Sequence, residues 1–409
     1  MNEFHLEEEA TIKRSVVDYK KNLYRRNILS ELYQSGLQTL AQLAKSLHSS
    51  IPSITAIVEE LVEEGWVTTF GTATGNHGRR PVLFGLQPLH KYVIVLDIST
   101  HDTKVLILSL QREIVFRKDF DSRLEDSNDF VEALTGFITE VINQSGIPHS
   151  HFLAIGISMP GLVHVQNGLN YTYKSLNQAS HPLSNWLSEN FHLPVFGVND
   201  TKATVLGEHR FGLARGKKHV LSFNIDWGVG LGIVLNGEIF QGALGFAGEL
   251  GHIQVVPNGE LCSCGKIGCL DTVTSATSLL RRVRNGLNEG RVSKLTAQLE
   301  EQGTLDIELV IKAAHQGDAF AIDLLQEIGT ELGKGLSIAV HLFNPEIVIV
   351  DGVVAKAEAF ITNPIDQAIN KYCLSDFRNG LTVEISQLGE RARWLGTHAY
   401  VMDQVLATL

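Results

Sequence analysis

Apolar residues in the first part of the chain recur with helical spacing. Between residues 26 and 65, three groups of apolar positions, spaced three and four apart, follow one another. These groups are Ile28, Leu29 and Leu32; Leu40, Leu43, Ala44 and Leu47; and Ile54, Ile57, Val58, Leu61 and Val62. They predict three short helices. Gly36 and Thr39 separate the first two as stop signal and N-cap, and Ser50 is placed to cap the third after a tight turn.

The segments "WVTTF" and "VLFGL" follow, and between them lies the Gly-rich, basic stretch 71–81. This pattern predicts a β-hairpin with a long tip, so residues 1–88 are expected to form a winged helix-turn-helix. The third helix ends in acids, and a protein-interaction module built from the same elements is the alternative. In the DNA-binding interpretation the major groove is contacted from the start of the third helix, and phosphates or a narrow minor groove from the hairpin tip. The candidate contacts are Ser50, Ser53, Thr55 and Ala56 on the helix, and Arg79 and Arg80 on the tip.

Beyond residue 89 the pattern changes to buried strands alternating with helical stretches, which is typical of an α/β fold. The predicted strands are 92–98, 104–110, 152–159, 219–225, 231–235 and 346–352. Two α/β lobes are expected, at 89–199 and 200–390, with a C-terminal helix at 391–409 joining the first lobe. Each lobe has a strand, a short turn and a second strand, in "VLDISTHDTKVLIL" and "FNIDWGVGLGIVL".

Composition and charge narrow the class of protein. The chain has 409 residues, 44% apolar content and a net charge of −11, and it contains no apolar stretch long enough to cross a bilayer. A cytoplasmic protein without membrane insertion is expected. Residues 10–90 carry nine Lys and Arg against six Asp and Glu. Because this excess is small, a single copy is expected to bind DNA weakly, which favours a dimer or larger assembly.

Three of the four cysteines lie within eight positions, in a segment that begins with a histidine. His252, Cys262, Cys264 and Cys269 match a site with one nitrogen and three thiolate ligands, which predicts one structural Zn²⁺ per chain. Glycines at 259, 265 and 268 would let the loop turn tightly. The alternative is three neighbouring thiols with no metal. Cys373 stands apart and is expected to be a buried apolar residue.

Four segments then carry a family resemblance: "GISMPGLV" (156–163), "VNDTKATVLGEHRFG" (198–212), "GELGH" (248–252) and "CSCGKIGCLDT" (262–272). In order and spacing they resemble the ROK family of repressors and sugar kinases, and the preceding winged helix resembles the NagC/Mlc-type, sugar-responsive repressors of that family. The resemblance implies a two-lobed, actin-like (ribonuclease H-like) domain, a homodimer or homotetramer, a zinc in each subunit and operator DNA as partner. It also implies a sugar pocket made by Gly161, Asn199, Asp200, Glu249, His252 and Asp271. Asp271 departs from the glutamate that the family usually has, which leaves the ligand's identity open.

The same resemblance predicts that catalysis is lost. Asp200 matches the base of the kinases, but the turns that hold phosphates differ. Ser99 and Thr100 stand where the kinases have glycines, Asp226 and Trp227 replace Gly and Thr, and Gly352 alone remains of a glycine triplet. Side chains at such turns keep a nucleotide from the backbone N–H groups.

The leading hypothesis is therefore a repressor of carbohydrate genes, controlled by a sugar, a sugar phosphate or a sugar-transport protein, with Asp200 as a vestigial base. An ATP-dependent hexose kinase with an added N-terminal domain is the alternative. A third hypothesis is a domain that binds no small molecule and only oligomerises and docks a transporter.

Overall fold

The computed structural model describes residues 2–73, 80–125, 127–177 and 181–409. Contacts divide the chain into two units. The first comprises Met1–Ile157, Leu183–Phe196 and His398–Leu409, and the second comprises Ser158–Pro182 and Gly197–Thr397. Among the described residues, no helix is both long and apolar enough to span a membrane. The domain boundaries expected at residues 88, 199 and 390 stay predictions.

The first 88 residues contain the three predicted helices and the hairpin. The elements are α1 (Asn2–Ser35), β1 (Gln38–Thr39), α2 (Leu40–Ser46), α3 (Ile51–Glu63), β2 (Val67–Thr72) and β3 (Val82–Leu86). Thr39 and Gln42 form a capping box at α2, and Ser50 accepts a hydrogen bond from the Ser53 N–H at the start of α3, which confirms both predicted caps. Helix α1 is much longer than its apolar group indicated, and no sequence pattern predicted β1, which pairs with β3.

The next elements form a five-stranded sheet with its helices: β4 (Tyr92–Ile98), β5 (Thr103–Ser109), β6 (Ile114–Phe120), α4 (Asn128–Ser145), β7 (Phe152–Met159), α5 (Leu183–Phe191) and β8 (Val195–Asn199). The strand order is β6-β5-β4-β7-β8. Every residue of β4 and β5 is buried. Their mainly apolar sequences are typical of strands that are covered on both faces.

The rest of the chain contains a second five-stranded sheet in the order β11-β10-β9-β12-β13. Its elements are α6 (Asp200–Phe211), β9 (Val220–Ile225), β10 (Val229–Leu235), β11 (Glu238–Ile239), α7 (Asp271–Thr274), α8 (Ala276–Asn288), α9 (Leu295–Gln302), α10 (Ile307–His315), α11 (Ala319–Phe343), β12 (Ile347–Asp351), α12 (Ala359–Tyr372), α13 (Ser375–Arg378), β13 (Thr382–Ile385) and α14 (Glu390–Ala407). Both sheets begin with an antiparallel strand-turn-strand, and in the second sheet β12, which follows a series of helices, pairs parallel with β9 and β13. Strands and helices alternate along both, so the α/β prediction is confirmed.

Helices α6 and α14 lie backbone against backbone. A Cβ at Gly207 would overlap the carbonyl oxygen of Ala392, and a Cβ at Gly396 would overlap that of Ala203. Each helix therefore has a glycine where the other approaches. Because there is no side-chain layer between them, the two helices cannot separate or slide without losing this contact.

Candidate functional site

The four predicted metal ligands converge. The candidate ligand atoms of His252, Cys262, Cys264 and Cys269 all lie within 4.8 Å of one another. The Sγ atoms of Cys264 and Cys269 are 3.7 Å apart, and Cys262 Sγ is 3.6 Å from His252 Nδ1. A tetrahedral zinc with ordinary bond lengths needs about 3.8 Å between two sulfurs and about 3.6 Å between a sulfur and a nitrogen. The donor set and its spacing therefore fit zinc.

Short backbone hydrogen bonds build the loop that carries the cysteines. The Cys262 N–H donates to Lys266 O at 2.7 Å, and the Gly268 N–H donates to Glu260 O at 2.8 Å. Gly268 has φ +72°, and a Cβ there would overlap Val256 O. A residue other than glycine at 268 would open the loop just before the last cysteine.

The cysteines of the cluster would need a neighbouring cation in order to ionise together. Burial and the neighbouring thiols of Cys264 and Cys262 raise the pKa of Cys269 to about 12. Several thiolates cannot ionise side by side without compensation, and a divalent cation supplies it while releasing protons.

Two of the predicted sugar contacts are joined directly. Asn199 is the N-cap of α6: its side chain accepts from the Lys202 N–H at 3.1 Å, and its Nδ2 donates to Gly161 O at 3.0 Å. Gly161 has φ +87°, and a Cβ there would come within 2.7 Å of Thr172. Asp200 follows as the first residue of α6 and accepts the Thr201 N–H at 2.7 Å.

Three other predicted contacts surround the metal site. His252 directs Nδ1 toward Cys262, and its Nε2 lies 3.8 Å from a carboxylate oxygen of Glu249. Asp271 accepts the Val229 N–H at 2.9 Å. Burial raises the pKa of both Glu249 and Asp271. His252 is therefore positioned to bind a metal through one ring nitrogen while the other ring nitrogen faces Glu249.

Sequence reasoning missed a buried lysine beside these residues. Lys202 is 8% exposed, and its Nζ donates to Gly245 O. Burial lowers the pKa of Lys202, whereas the nearby carboxylates of Glu249 and Asp200 act in the opposite direction. Lys202 thus links two predicted sugar contacts that lie 49 positions apart. The sequence did contain one signal: this lysine lies two positions after Asp200 and directly before the mostly apolar residues 203–206.

The first turn that would hold a phosphate has its N–H groups occupied. Ser99 Oγ accepts from the N–H groups of His101 and Asp102 at 3.1 and 3.0 Å, and it donates to the Asp102 carboxylate. Lys104 in turn pairs with Asp102. The amides that a phosphate would need are bonded to the serine instead.

The second turn carries a carboxylate and has lost another donor. Asp226 lies 4.0 Å from the Arg393 guanidinium, and its N–H donates to Gly228 O within the turn. Three residues further on, the Val229 N–H donates to the Asp271 carboxylate. A triphosphate here would meet a negative charge and few available N–H groups.

Gly352 at the third turn is explained by packing. It has φ +96°, and a Cβ would overlap Ile225 O and approach Asn224 Oδ1 to 2.6 Å. The glycine is required by the neighbouring strand β9 whether or not a nucleotide binds.

The predicted DNA contacts on α3 lie at its N-terminal end. Ser50, Ser53 and Ala56 are exposed and Thr55 is half-buried. The hydroxyls of Ser50 and Ser53 are 2.8 Å apart, and Thr55 Oγ1 donates to Ile51 O at 2.8 Å. The buried residues of α3 occupy the opposite face.

The hairpin that follows is confirmed, since β2 and β3 pair antiparallel from Val67 to Thr72. Arg80 is exposed just before β3. Arg79 lies outside the described residues.

The acids at the end of α3 have partners on α1. Lys21 Nζ lies 2.8 Å from Glu60, and Arg25 bonds Glu64 with Nη1 at 2.8 Å. The Glu64 side chain raises the pKa of Arg25, and Arg25 lowers that of Glu64. These glutamates hold α3 on α1, so they weaken the DNA-binding interpretation less than their charge suggested.

Two family models match the chain: one described as ROK family at residues 93–404 and one described as MarR family at residues 25–69. The DNA-binding transcriptional dual regulator NagC of Escherichia coli (strain K12) is 28% identical over 390 residues, which cover 95% of each chain. A glucokinase of Halalkalibacterium halodurans is 32% identical over 319 residues, covering 77% of this chain and 96% of the enzyme.

Among solved structures, a ROK family transcriptional regulator described as a homolog of the E. coli MLC protein superposes with a TM-score of 0.78. Its sequence is 27% identical, and the match covers 95% of this chain and 98% of that one. The similarity to regulators thus includes the winged region, whereas the similarity to the glucokinase covers about three quarters of the chain.

Proposed function

The chain belongs to the ROK family, and on that premise we propose that it is a DNA-binding transcriptional regulator, a repressor of carbohydrate uptake or metabolism genes. The observation that carries this proposal is the combination of full-length similarity to regulators with a winged helix-turn-helix in front of the family domain. We place its action in the cytoplasm, where operator DNA lies.

We assign DNA recognition to the exposed start of α3. Ser50, Ser53, Thr55 and Ala56 lie at the end of the helix that such folds insert into the major groove. Arg80 and Arg79 would add phosphate or minor-groove contacts from the hairpin tip.

We assign effector binding to the pocket of the second unit. The proposed contacts are Gly161, Asn199, Asp200, Glu249, His252 and Asp271, and the proposed effector is a sugar or sugar phosphate. Support comes from the Asn199 to Gly161 hydrogen bond and from the carboxylates around His252. Asp271 carries a side chain one methylene shorter than the usual glutamate, and it is already bonded to Val229.

We propose that a structural zinc at His252, Cys262, Cys264 and Cys269 shapes one wall of this pocket. When bound, the metal would cross-link the loop. Its four protein ligands would leave no open coordination position for catalysis. His252 would then connect the metal to the ligand, because its second ring nitrogen faces Glu249.

We further propose that this chain has lost sugar phosphorylation. Asp200 and the similarity to a glucokinase favour an enzyme. Against it, Ser99 occupies the amides of the first phosphate turn, and Asp226 puts a carboxylate into the second. Incubation of the purified protein with ATP and a panel of hexoses is expected to give no sugar phosphate. Turnover that Asp200→Asn abolishes would establish the kinase alternative.

A homodimer or homotetramer and a sugar-transport protein as second partner complete the proposal. Sedimentation with and without sugars tests the first. Calorimetry tests the second: heat with sugars favours a small effector, and heat only with a transporter's cytoplasmic domain favours the docking hypothesis.

Footprinting on the DNA upstream of its own gene and adjacent sugar genes tests the central claim. We expect protection that a sugar or sugar phosphate changes. Ala56→Glu should abolish protection by placing a negative charge at the groove, whereas Val62→Glu, at the other end of α3, should preserve it. Absence of protection by the wild-type protein under all these conditions would refute the proposal.

A further inference from the structure

Helix α1 of the winged region and helix α14 at the end of the chain meet in a buried polar contact. Tyr33 is 1% exposed and His398 is fully buried. The Tyr33 hydroxyl lies 2.6 Å from His398 Nδ1, and the two rings stack with centroids 5.6 Å apart. Either atom can donate in this hydrogen bond, depending on the tautomer of the His398 ring, and Tyr33→Phe removes the bond in both cases.

The β5–β6 turn fixes the same end of α1. Arg112 adopts φ +68°, which is unfavourable for a residue with a side chain. This conformation directs its guanidinium to Tyr33 O and over the Tyr33 ring. Its neighbour Gln111 donates to Leu86 O at 2.9 Å. Arg112 thus bonds the main chain at the end of α1, and Gln111 bonds the main chain at the end of the hairpin.

Helix α14 also contacts the helix that begins the proposed effector pocket. It starts in the second unit and ends in the first. Gly396 lies against the backbone of α6, and His398 follows only two residues later. Helix α6 begins with Asp200. One continuous helix therefore touches the pocket's helix through its backbone and the winged region through a hydrogen bond.

We propose that Tyr33 and His398 are positioning residues that transmit a displacement of α6 on ligand binding to the winged region through α14. The inference rests on the proposed function. The backbone contact between α6 and α14 leaves no layer of side chains to absorb a shift. The hydrogen bond at the far end passes the shift to α1, so ligand and DNA affinities depend on each other through α14.

The test uses the full chain and Tyr33→Phe, which removes only the hydroxyl. Tyr400→Phe on the same helix is the matched control, because no hydrogen bond of that hydroxyl is found among the described residues. Binding of the upstream DNA fragment is measured with and without D-glucose, D-xylose, N-acetylglucosamine and their phosphates. We expect the sugar-dependent ratio of DNA Kd values to shrink at least threefold in Tyr33→Phe, with sugar affinity in the absence of DNA unchanged. A Tyr33→Phe ratio equal to that of the wild type and of Tyr400→Phe overturns the inference.

Hydrogen exchange on the protein without ligands separates the two proposals. Tyr33→Phe should raise amide exchange in residues 27–35, and also in residues 203–207 of α6, which do not touch Tyr33. A merely local role would change the first segment alone and would overturn the inference even where the wild type binds DNA. A wild-type protein that binds none of the DNA contradicts the proposed function, and the exchange of α6 then decides the inference separately.

Discussion

Acidification is expected to weaken the contact between α1 and α14. Burial, together with the charge of Arg112, lowers the pKa of His398 to about 3, and the main chain of Ser109 opposes this only in part. In an unfolded segment the ring takes up its proton near pH 6.5. The folded contact disfavours that proton because the ring is fully buried and the positive charge of Arg112 acts on it.

The sign and size of the effect follow from linkage. The folded pKa lies below the unfolded one, so the contribution of His398 is complete above about pH 6.5 and is lost as the pH falls toward 3. Each pH unit in that window is worth about 1.4 kcal/mol. Between pH 7.5 and 5, therefore, the free energy of local opening should fall by about 2 kcal/mol, which is roughly a thirtyfold rise in the open population.

The assay is hydrogen exchange followed by mass spectrometry, because global unfolding of a chain with two units is not a two-state measurement. Peptides covering residues 27–35 and 398–406 are compared between wild type and His398→Gln, which cannot take up a proton. The difference in opening free energy between the two proteins should shrink by about 2 kcal/mol from pH 7.5 to pH 5. Identical pH profiles in both proteins would refute the claim that His398 is neutral in the folded state and takes up a proton when the segment opens.

Three further predictions concern the zinc loop, the helix contact and the wing. Cys264→Ser should lower the zinc content from about one per chain and unfold the loop, since the bound set contributes on the order of 10 kcal/mol; full retention by elemental analysis would contradict the ligand assignment. Gly207→Ala should lower the unfolding temperature, because its Cβ overlaps Ala392 O and overpacking costs about 1–3 kcal/mol or more, whereas Gly136→Ala in open space on α4 should raise it slightly. Arg80→Ala should weaken DNA binding and reduce the salt slope by about 0.9 if it neutralises one phosphate; an unchanged slope in a fluorescence titration would remove it from the interface.

The sequence was sufficient to predict strand bounds and helix starts, where local apolar runs and capping side chains decide the structure. Strands β4 and β7 begin and end where their apolar runs do, and Ser50 and Thr39 cap the helices that their side chains predicted. The convergence of His252 with the three cysteines was also predictable, because one histidine and three cysteines at short spacing are typical of a zinc site.

The sequence was insufficient where a polar residue acts through a distant partner. Tyr33 and His398 are separated by 365 positions, and neither belongs to a motif. Lys202 has the residue type of a solvated helix surface, yet it is buried between carboxylates. The first part of helix α1 has no apolar periodicity, so the sequence pattern did not predict the full length of this helix.

On the proposal that this chain has lost nucleotide binding, its glycines and phosphate turns explain how the fold keeps its shape. Gly352 has a left-handed backbone, and a Cβ there would overlap Ile225 O, so the fold needs this glycine even when no nucleotide binds. Ser99 and Asp226 stand where the resemblance to the kinases places glycines, and Ser99 Oγ accepts from two N–H groups of its turn. Gly352 is therefore not a sign of residual ATP binding. Exchanging Ser99 alone for glycine should leave two amides without partners and restore no phosphate site, because the Asp226 carboxylate and the bonded Val229 amide remain.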